Sequence, residues 1–121
     1  MGLDFGVVKK RKGKAYESDC WEDVVWGRNC HKVKEIVLDN ISSYDKENCE
    51  AKLSIGTINN LIIKLAESLK SYDLNNKDTF ENDDYTKTLD FLSGLAKGIY
   101  KDCIDYEYGG ISYEYKLIDS F

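Results

Sequence analysis

The chain has 121 residues, contains no proline, and carries 22 acidic against 17 basic residues, for a formal net charge of −5 at pH 7. This length predicts a single domain spanning residues 1–121, and nine tyrosines, four phenylalanines and two tryptophans exclude a disordered chain. The sequence pI near 4.9 disfavours direct nucleic-acid binding, and the lack of any apolar run of about 20 residues excludes a membrane-spanning helix.

The N-terminal segment is predicted to form a strand over residues 3–9, because its positions alternate with a period of two. One face carries Leu3, Phe5 and Val7, and the other carries Asp4, Gly6 and Val8. The basic residues 9–14, which include a glycine, predict a turn, and residues 15–19 predict a return strand.

The first predicted helix begins near Trp26 and ends around Asn40, Ser42 and Ser43. Its apolar residues recur three and four positions apart, which is the spacing of one helix face: Trp26, Cys30, Val33, Val37 and Ile41. Residues 51–53 predict a short strand, and Ser54 is placed to cap a second helix.

The second helix is predicted from the apolar stripe Ile58, Leu61, Ile62, Leu65, Leu69 and Tyr72. The polar residues 73–84 predict a loop, in which Asp83 or Asp84 caps a third helix. Gly94 and Gly98 would let the sheet approach this third helix closely. The residues that it is expected to bury are Tyr85, Leu89, Leu92, Leu95, Ile99 and Cys103.

The C-terminal tail predicts a hairpin around Gly109 and Gly110, since a Gly-Gly pair suits a two-residue turn with positive φ. Tyr106 would face Tyr113 across this turn. The predicted fold class is therefore α+β: a small, mostly antiparallel sheet, made of the N-terminal strand and the C-terminal Gly-Gly hairpin, packed against three amphipathic helices.

The residues that usually carry catalysis or bind metal do not form a recognisable motif. His31 is the single histidine, and on a helix its side chain would point about 100° away from that of Cys30. Zinc-binding pairs of the C-x2-4-C type are absent, so Cys20, Cys30, Cys49 and Cys103 are expected to be buried or inert thiols in a reducing cytoplasm. Glycine-rich phosphate loops are also absent. We therefore predict no catalytic residue, no metal and no cofactor.

Charge is distributed unevenly along the chain. Residues 1–34 hold eight basic and five acidic residues, a net of +3, whereas residues 35–121 hold nine basic and seventeen acidic residues, a net of −8. The acidic part suits docking on the basic surface of a partner protein, because complementary charge speeds encounter. The alternative is that the acidity only maintains solubility.

Aromatic residues and one arginine make up the candidate binding surface: Trp21, Trp26, Arg28, Tyr106, Tyr108, Tyr113 and Tyr115. Tyrosine is enriched at binding hot spots because it combines an apolar ring with a polar hydroxyl. Tyrosines on one strand face would also suit an ordinary sheet core, so both interpretations stay open from the sequence.

Three short segments have a recognisable order. Residues 1–4 are Met-Gly-Leu-Asp, residues 22–28 are Glu-Asp-Val-Val-Trp-Gly-Arg ahead of an amphipathic helix, and residues 48–54 contain Asn-Cys-Glu and Leu-Ser ahead of a second helix. With a later helix and an aromatic tail, this order resembles a loose group of small phage-encoded proteins of no assigned function. The resemblance implies a phage or prophage accessory protein and carries over no catalytic residue.

We therefore expect a non-enzymatic accessory protein in the cytoplasm of a bacterial host cell, which binds and modulates a host protein with a basic surface. Anti-defence (anti-CRISPR-like) inhibition is one form of that activity. An alternative is a protein that sequesters a small molecule or nucleotide signal in a pocket lined by Trp21, Trp26, Arg28 and the tyrosines. A third is a minor enzyme whose cleft gathers Arg28, His31 and carboxylates.

Overall fold

The computed structural model describes residues 4–12, 21–28, 30–42, 44–72 and 79–120, with side chains for all of these except residues 79–82 and 120. In these residues one antiparallel sheet of five strands packs against three helices, which confirms the α+β class. The elements in chain order are β1 (Asp4–Lys12), β2 (Glu22–Arg28), α1 (His31–Asp39), β3 (Tyr44–Asp45), β4 (Glu50–Leu53), α2 (Ile55–Leu69), α3 (Thr79–Gly109) and β5 (Ser112–Ser120).

The first and last strands form the centre of the sheet, whose strand order is β2-β1-β5-β4-β3. β1 pairs with β5 from Asp4↔Ser120 to Lys12↔Ser112. The basic residues 9–12 therefore continue the strand, and the prediction of a turn there was wrong. Side chains of a strand alternate between the two sides of the sheet, so Lys9 points to the helices although it is charged. Its Nζ lies 2.6 Å from Asp102 Oδ1, and this ion pair lets a charged side chain occupy the core side of the strand.

The return strand predicted at residues 15–19 lies outside the described residues, and β2 pairs with β1 on the side away from β5. Trp26 belongs to β2, so its assignment to the first helix was wrong. The segment ahead of α1 contains Val24, Val25 and Trp26, which are β-branched and aromatic residues that favour strands. The helix begins only at His31, and Val33 and Val37 are its buried residues.

The middle of the chain follows the prediction. β4 contains residues 51–53, and α2 begins directly after Ser54, whose Oγ accepts a hydrogen bond of 3.1 Å from the N–H of Thr57. The buried residues of α2 are Ile58, Leu61 and Leu65. Tyr72 lies beyond the end of α2, and its ring instead packs edge-on against Tyr85, with ring centroids 5.8 Å apart.

The third helix starts earlier than predicted and buries a different face. Because α3 begins at Thr79, Asp83 and Asp84 lie inside it and do not cap it. Leu95 and Ile99 are buried as expected, but Leu89 is 39% exposed and Cys103 is exposed. The buried face also contains Thr88, Phe91 and Asp102. The hydroxyl of Thr88 donates to the carbonyl of Asp84 at 2.7 Å, which lets a polar residue occupy the core.

The predicted Gly-Gly hairpin is wrong. Residues 106–109 form the last turn of α3, and Gly110 follows it with φ +64° while its N–H donates to the carbonyl of Tyr106. This left-handed glycine is the usual residue just past a helix end. A glycine with positive φ serves a helix end as well as a hairpin turn, so the local sequence fits both.

All three helices contribute to one core on one side of the sheet. Gly94 and Gly98 allow α3 to approach β2, as predicted: a Cβ on Gly94 would come within 2.8 Å of Val25, and one on Gly98 within 2.7 Å of Val24. Phe5 of β1 stacks on Phe91 of α3, with ring centroids 5.0 Å apart. We call this side of the sheet the helix face and the opposite side the outer face.

Candidate functional site

Trp21, Trp26 and Arg28 lie on the outer face. Trp26 pairs with Gly6 of β1, and its indole lies over that glycine, where a Cβ would come within 2.5 Å of the ring. The ring of Trp21 is approached by Lys116 Nζ at 4.2 Å and is thus partly covered. Arg28 Nε lies 3.8 Å from Oδ1 of Asp4; the Arg28 side chain remains largely in solvent, whereas that of Asp4 is half-buried.

Tyr113 and Tyr115 lie on the helix face of β5, on the opposite side of the sheet from the tryptophans. Tyr115 is buried, and its hydroxyl donates to Asp102 Oδ2 at 2.8 Å. Burial, reinforced by the Asp102 carboxylate, raises the pKa of Tyr115 well above its usual value. Tyr113 is half-buried, donates to Asp105 Oδ2 at 3.4 Å, and has Lys9 Nζ 4.4 Å from its ring centroid. Burial raises the pKa of Tyr113 as well.

The predicted binding surface is therefore divided between the two sides of the sheet. A single pocket lined by Trp21, Trp26, Arg28 and all four tyrosines does not form, because successive side chains of a strand point to opposite faces. The four tyrosines are also divided between the core and the surface. Tyr115 belongs to the core and Tyr113 packs against it, whereas Tyr106 and Tyr108 are 64% and 83% exposed.

The exposed tyrosines belong to residues 100–109, which we call the α3 end. Tyr100 (71% exposed) and Ile104 (37% exposed) join Tyr106 and Tyr108 there. Tyr100, Ile104 and Tyr108 are four residues apart, so they form one stripe along the helix. The sequence prediction missed Tyr100 and Ile104 because residues 106–109 were assigned to a β-hairpin. The spacing of four was the signal that could have shown a continuing helix.

The α3 end is electronegative. Residues 100–109 contain one basic and three acidic residues, a net of −2. Residues 106–109 are Tyr-Glu-Tyr-Gly, so the last turn carries no basic side chain to offset the negative end of the helix dipole. Asp105 and Glu107 add charge of the same sign. A cationic group is therefore favoured beside these tyrosines, and a tyrosine ring can itself hold a cation.

Two adjoining clefts lie next to the α3 end. The larger, of about 600 Å³, runs between the end of β4, the start of α2 and the start of β5, and Lys12 and Lys52 are among the residues that line it. The smaller, of about 300 Å³, is lined by Ile55, Cys103, Tyr106, Ile111 and Tyr113. Both clefts are bordered by the side chains of Ile55, Tyr113 and Tyr115.

The histidine and cysteines are not gathered into a site. Cys30 is buried, its Sγ lies 3.3 Å from the carbonyl of Arg28, and burial raises the pKa of its thiol. His31 is exposed. Cys49 is half-buried and Cys103 is exposed, so for these two only the inert form of the expected 'buried or inert' thiol stays a prediction, and Cys20 lies outside the described residues. Among the residues whose placement is described, no three His, Cys, Asp or Glu side chains form a possible metal site.

Comparison of the chain with protein-family models, with curated proteins and with solved structures finds no match. Within the described part of the chain, no helix combines the length and the apolar character needed to cross a membrane.

Proposed function

We propose that this chain is a non-enzymatic phage or prophage accessory protein that binds a basic surface of a host protein through the α3 end. The observation that carries the proposal is the exposure of Tyr100, Tyr106 and Tyr108 on the last three turns of one helix. Large side chains at this density in solvent are typical of interaction surfaces, where tyrosine contributes a disproportionate share of the binding free energy.

The charge of the α3 end supports a basic partner. Asp105, Glu107 and the negative end of the helix dipole surround the tyrosines, and arginine side chains stack favourably on exposed tyrosine rings. Complementary charge of this kind raises the rate of association more than it raises affinity. Inhibition of a host defence nuclease, in the anti-CRISPR-like manner, is the form of the proposal that the resemblance to phage-encoded proteins favours.

Two observations support a non-enzymatic role: the sequence lacks a catalytic motif, and Arg28 and His31 lie in solvent. Arg28 is largely exposed beside Asp4, and His31 is exposed at the start of α1.

Quantitative affinity capture tests the proposal. The tagged chain is incubated with bacterial host lysate beside the double variant Tyr100→Ala/Tyr108→Ala, and beside Ile63→Ser as a matched control. Ile63 is 55% exposed on α2, so its replacement also removes exposed apolar surface, but away from the α3 end. We expect one stoichiometric host protein, recovered equally by the parent and Ile63→Ser and reduced at least tenfold by the double variant.

The proposal fails if no stoichiometric protein is recovered, or if the double variant recovers as much as the parent. Capture repeated at rising salt provides an independent check of the charge argument. A basic partner held beside Asp105 and Glu107 should associate more slowly as salt screens the charges.

A second candidate function, the sequestration of a small molecule, is favoured by the larger cleft. Its volume of about 600 Å³ falls in the usual range of ligand pockets. Native mass spectrometry of protein purified from its host tests this candidate. A co-purified small molecule lost on replacing Lys52 with Glu would support it, and a chain of the mass of the polypeptide alone would count against it.

A further inference from the structure

One edge of β5 is open at its start. β1 pairs with β5 along its whole length, from Ser112 onward. β4 pairs with it only between Leu53↔Tyr115 and Glu50↔Ile118. Within the described residues, the first three residues of β5 therefore have a neighbouring strand on one side only. On the other side the chain leaves β4 at Ser54 and enters α2.

The backbone groups of Tyr113 point into this open edge. The N–H of Asp119 donates to the carbonyl of Cys49 at 2.8 Å, which places the backbone groups of Asp119 on the β4 side of the strand. In an antiparallel ladder every second residue directs both its N–H and its C=O to the same neighbour. The alternation from Asp119 through Leu117 and Tyr115 therefore places the N–H and C=O of Tyr113 where β4 has already ended.

Open space lies beside these groups. The larger cleft continues the line of β4 past Leu53 and Ser54, and the smaller cleft lies on the helix face below it, between Ile55 and Tyr106. A side chain directly opposite Tyr113 would point to the same face as Tyr113. It would therefore enter the smaller cleft, which is lined mainly by apolar and aromatic side chains.

We propose that an extended segment of the partner protein adds to β5 at Tyr113, with an apolar side chain in the smaller cleft and a lysine or arginine next to it at the α3 end. Strand addition of this kind gains affinity from main-chain hydrogen bonds and specificity from side-chain pockets. This inference rests on the proposed function, since it describes how the same basic partner is held.

The charged residues at the two ends of the open edge determine the order of residues that we expect in that segment. Moving along β5 from Tyr115 to Ser112, the open edge approaches the last turn of α3, where Asp105 and Glu107 favour a basic residue. At the opposite end Lys52, which pairs with Lys116, disfavours one. A segment antiparallel to β5 runs in the direction of β4, from the lysine end to the α3 end. The expected pattern is thus an apolar residue followed by arginine or lysine, because Leu53 and Ser54 already occupy the positions before the apolar residue.

The test uses the peptide acetyl-Leu-Arg-Arg-amide as probe, with amide hydrogen exchange of the full chain followed by NMR. In the free protein the Tyr113 amide should exchange freely while those of Tyr115 and Leu117 are protected. Saturating peptide should slow exchange at Tyr113 at least tenfold. The same peptide N-methylated at leucine, and one with glutamates in place of the arginines, should each bind at least tenfold more weakly.

Two variants locate the site. Ile55→Arg places a long charged side chain in the smaller cleft and should abolish peptide binding, whereas Ile63→Arg makes the same change at another exposed isoleucine of α2 and should leave it intact.

The inference is overturned if the peptide does not bind at millimolar concentration, if Ile55→Arg binds it normally, or if Tyr113 exchange does not change. A host protein whose capture depends on Tyr108 but not on Ile55 would leave the proposed function standing and remove only the strand addition. Peptide binding without any captured host protein would support the strand addition at Tyr113 and count against the proposed function.

Discussion

The ammonium of Lys9 lies 2.6 Å from Oδ1 of Asp102, and this ion pair joins residues 93 positions apart, one on β1 and one on α3. The second oxygen of Asp102 accepts from Tyr115 on β5. A carboxylate that is 3% exposed is thus held by two strands and belongs to the core. A buried charge of this kind is tolerated only with its partners in place.

Replacement of Lys9 by methionine should destabilise the fold by about 3 kcal/mol, because it leaves the Asp102 carboxylate buried without its cation. Lys64→Met is the matched control, since Lys64 pairs with Glu67 at 3.7 Å in solvent and its removal should cost about 0.5 kcal/mol or less. Urea unfolding of both variants measures the difference. Equal midpoints for the two would show that the Lys9–Asp102 pair contributes nothing specific.

Gly98→Ala should destabilise the protein by about 1–2 kcal/mol despite the better helix propensity of alanine. The added Cβ would lie 2.7 Å from the Cγ1 of Val24, and a β-branched side chain on a strand cannot rotate away freely. Gly56→Ala in α2 is the control, because the nearest atom to its added Cβ is 3.9 Å away. Thermal unfolding should show a lowered midpoint for the first variant and an unchanged or raised one for the second.

Gly110→Ala should cost about 1–2 kcal/mol, because φ +64° is unfavourable for a residue with a Cβ. Nothing lies within 4 Å of a Cβ built there, so the loss would come from the backbone conformation and not from a clash. Gly110→Asn should lose clearly less, since asparagine tolerates the left-handed region. If alanine and asparagine destabilise the protein equally in urea unfolding, the capping role of Gly110 is refuted.

Stability should fall at alkaline pH because of the buried tyrosines. Burial and the Asp102 carboxylate raise the pKa of Tyr115 in the folded state, and burial and Asp119 raise that of Tyr44. Above about pH 10 the unfolded chain loses these protons while the folded chain keeps them, so the free energy of unfolding decreases as the pH rises.

Tyr115→Phe provides the check on this pH dependence. The variant should be less stable than the parent at pH 8, because Asp102 loses a hydrogen bond. The two proteins should then converge as the pH is raised from 10 to 11. Unfolding in urea across this range measures the convergence, and parallel curves for parent and variant would exclude Tyr115 as a source of the alkaline loss.

The sequence predicted correctly those elements in which local features, such as a helix cap, agree with the residues that the fold buries. Ser54 caps α2 because its side chain can reach the Thr57 N–H wherever that segment becomes helical, and Ile58, Leu61 and Leu65 recur at helical spacing and are all buried. Gly94 and Gly98 indicated close packing because little else explains two glycines inside a helix. Trp26 was misplaced because it also fits the helical spacing of Cys30 and Val33, and only pairing with β1 shows that it belongs to a strand.

The α3 end shows the limit of local reasoning most clearly. The composition and periodicity of the chain determined an α+β domain with amphipathic helices, and its charge determined an acidic C-terminal part. The tertiary structure decided whether Gly110 turns two strands or ends a helix, because glycine adopts positive φ equally well in both. Full-length pairing of β5 with β1 leaves residues 106–109 to the helix. That long-range choice separates Tyr106 and Tyr108, which are exposed, from Tyr115, which is buried in the core.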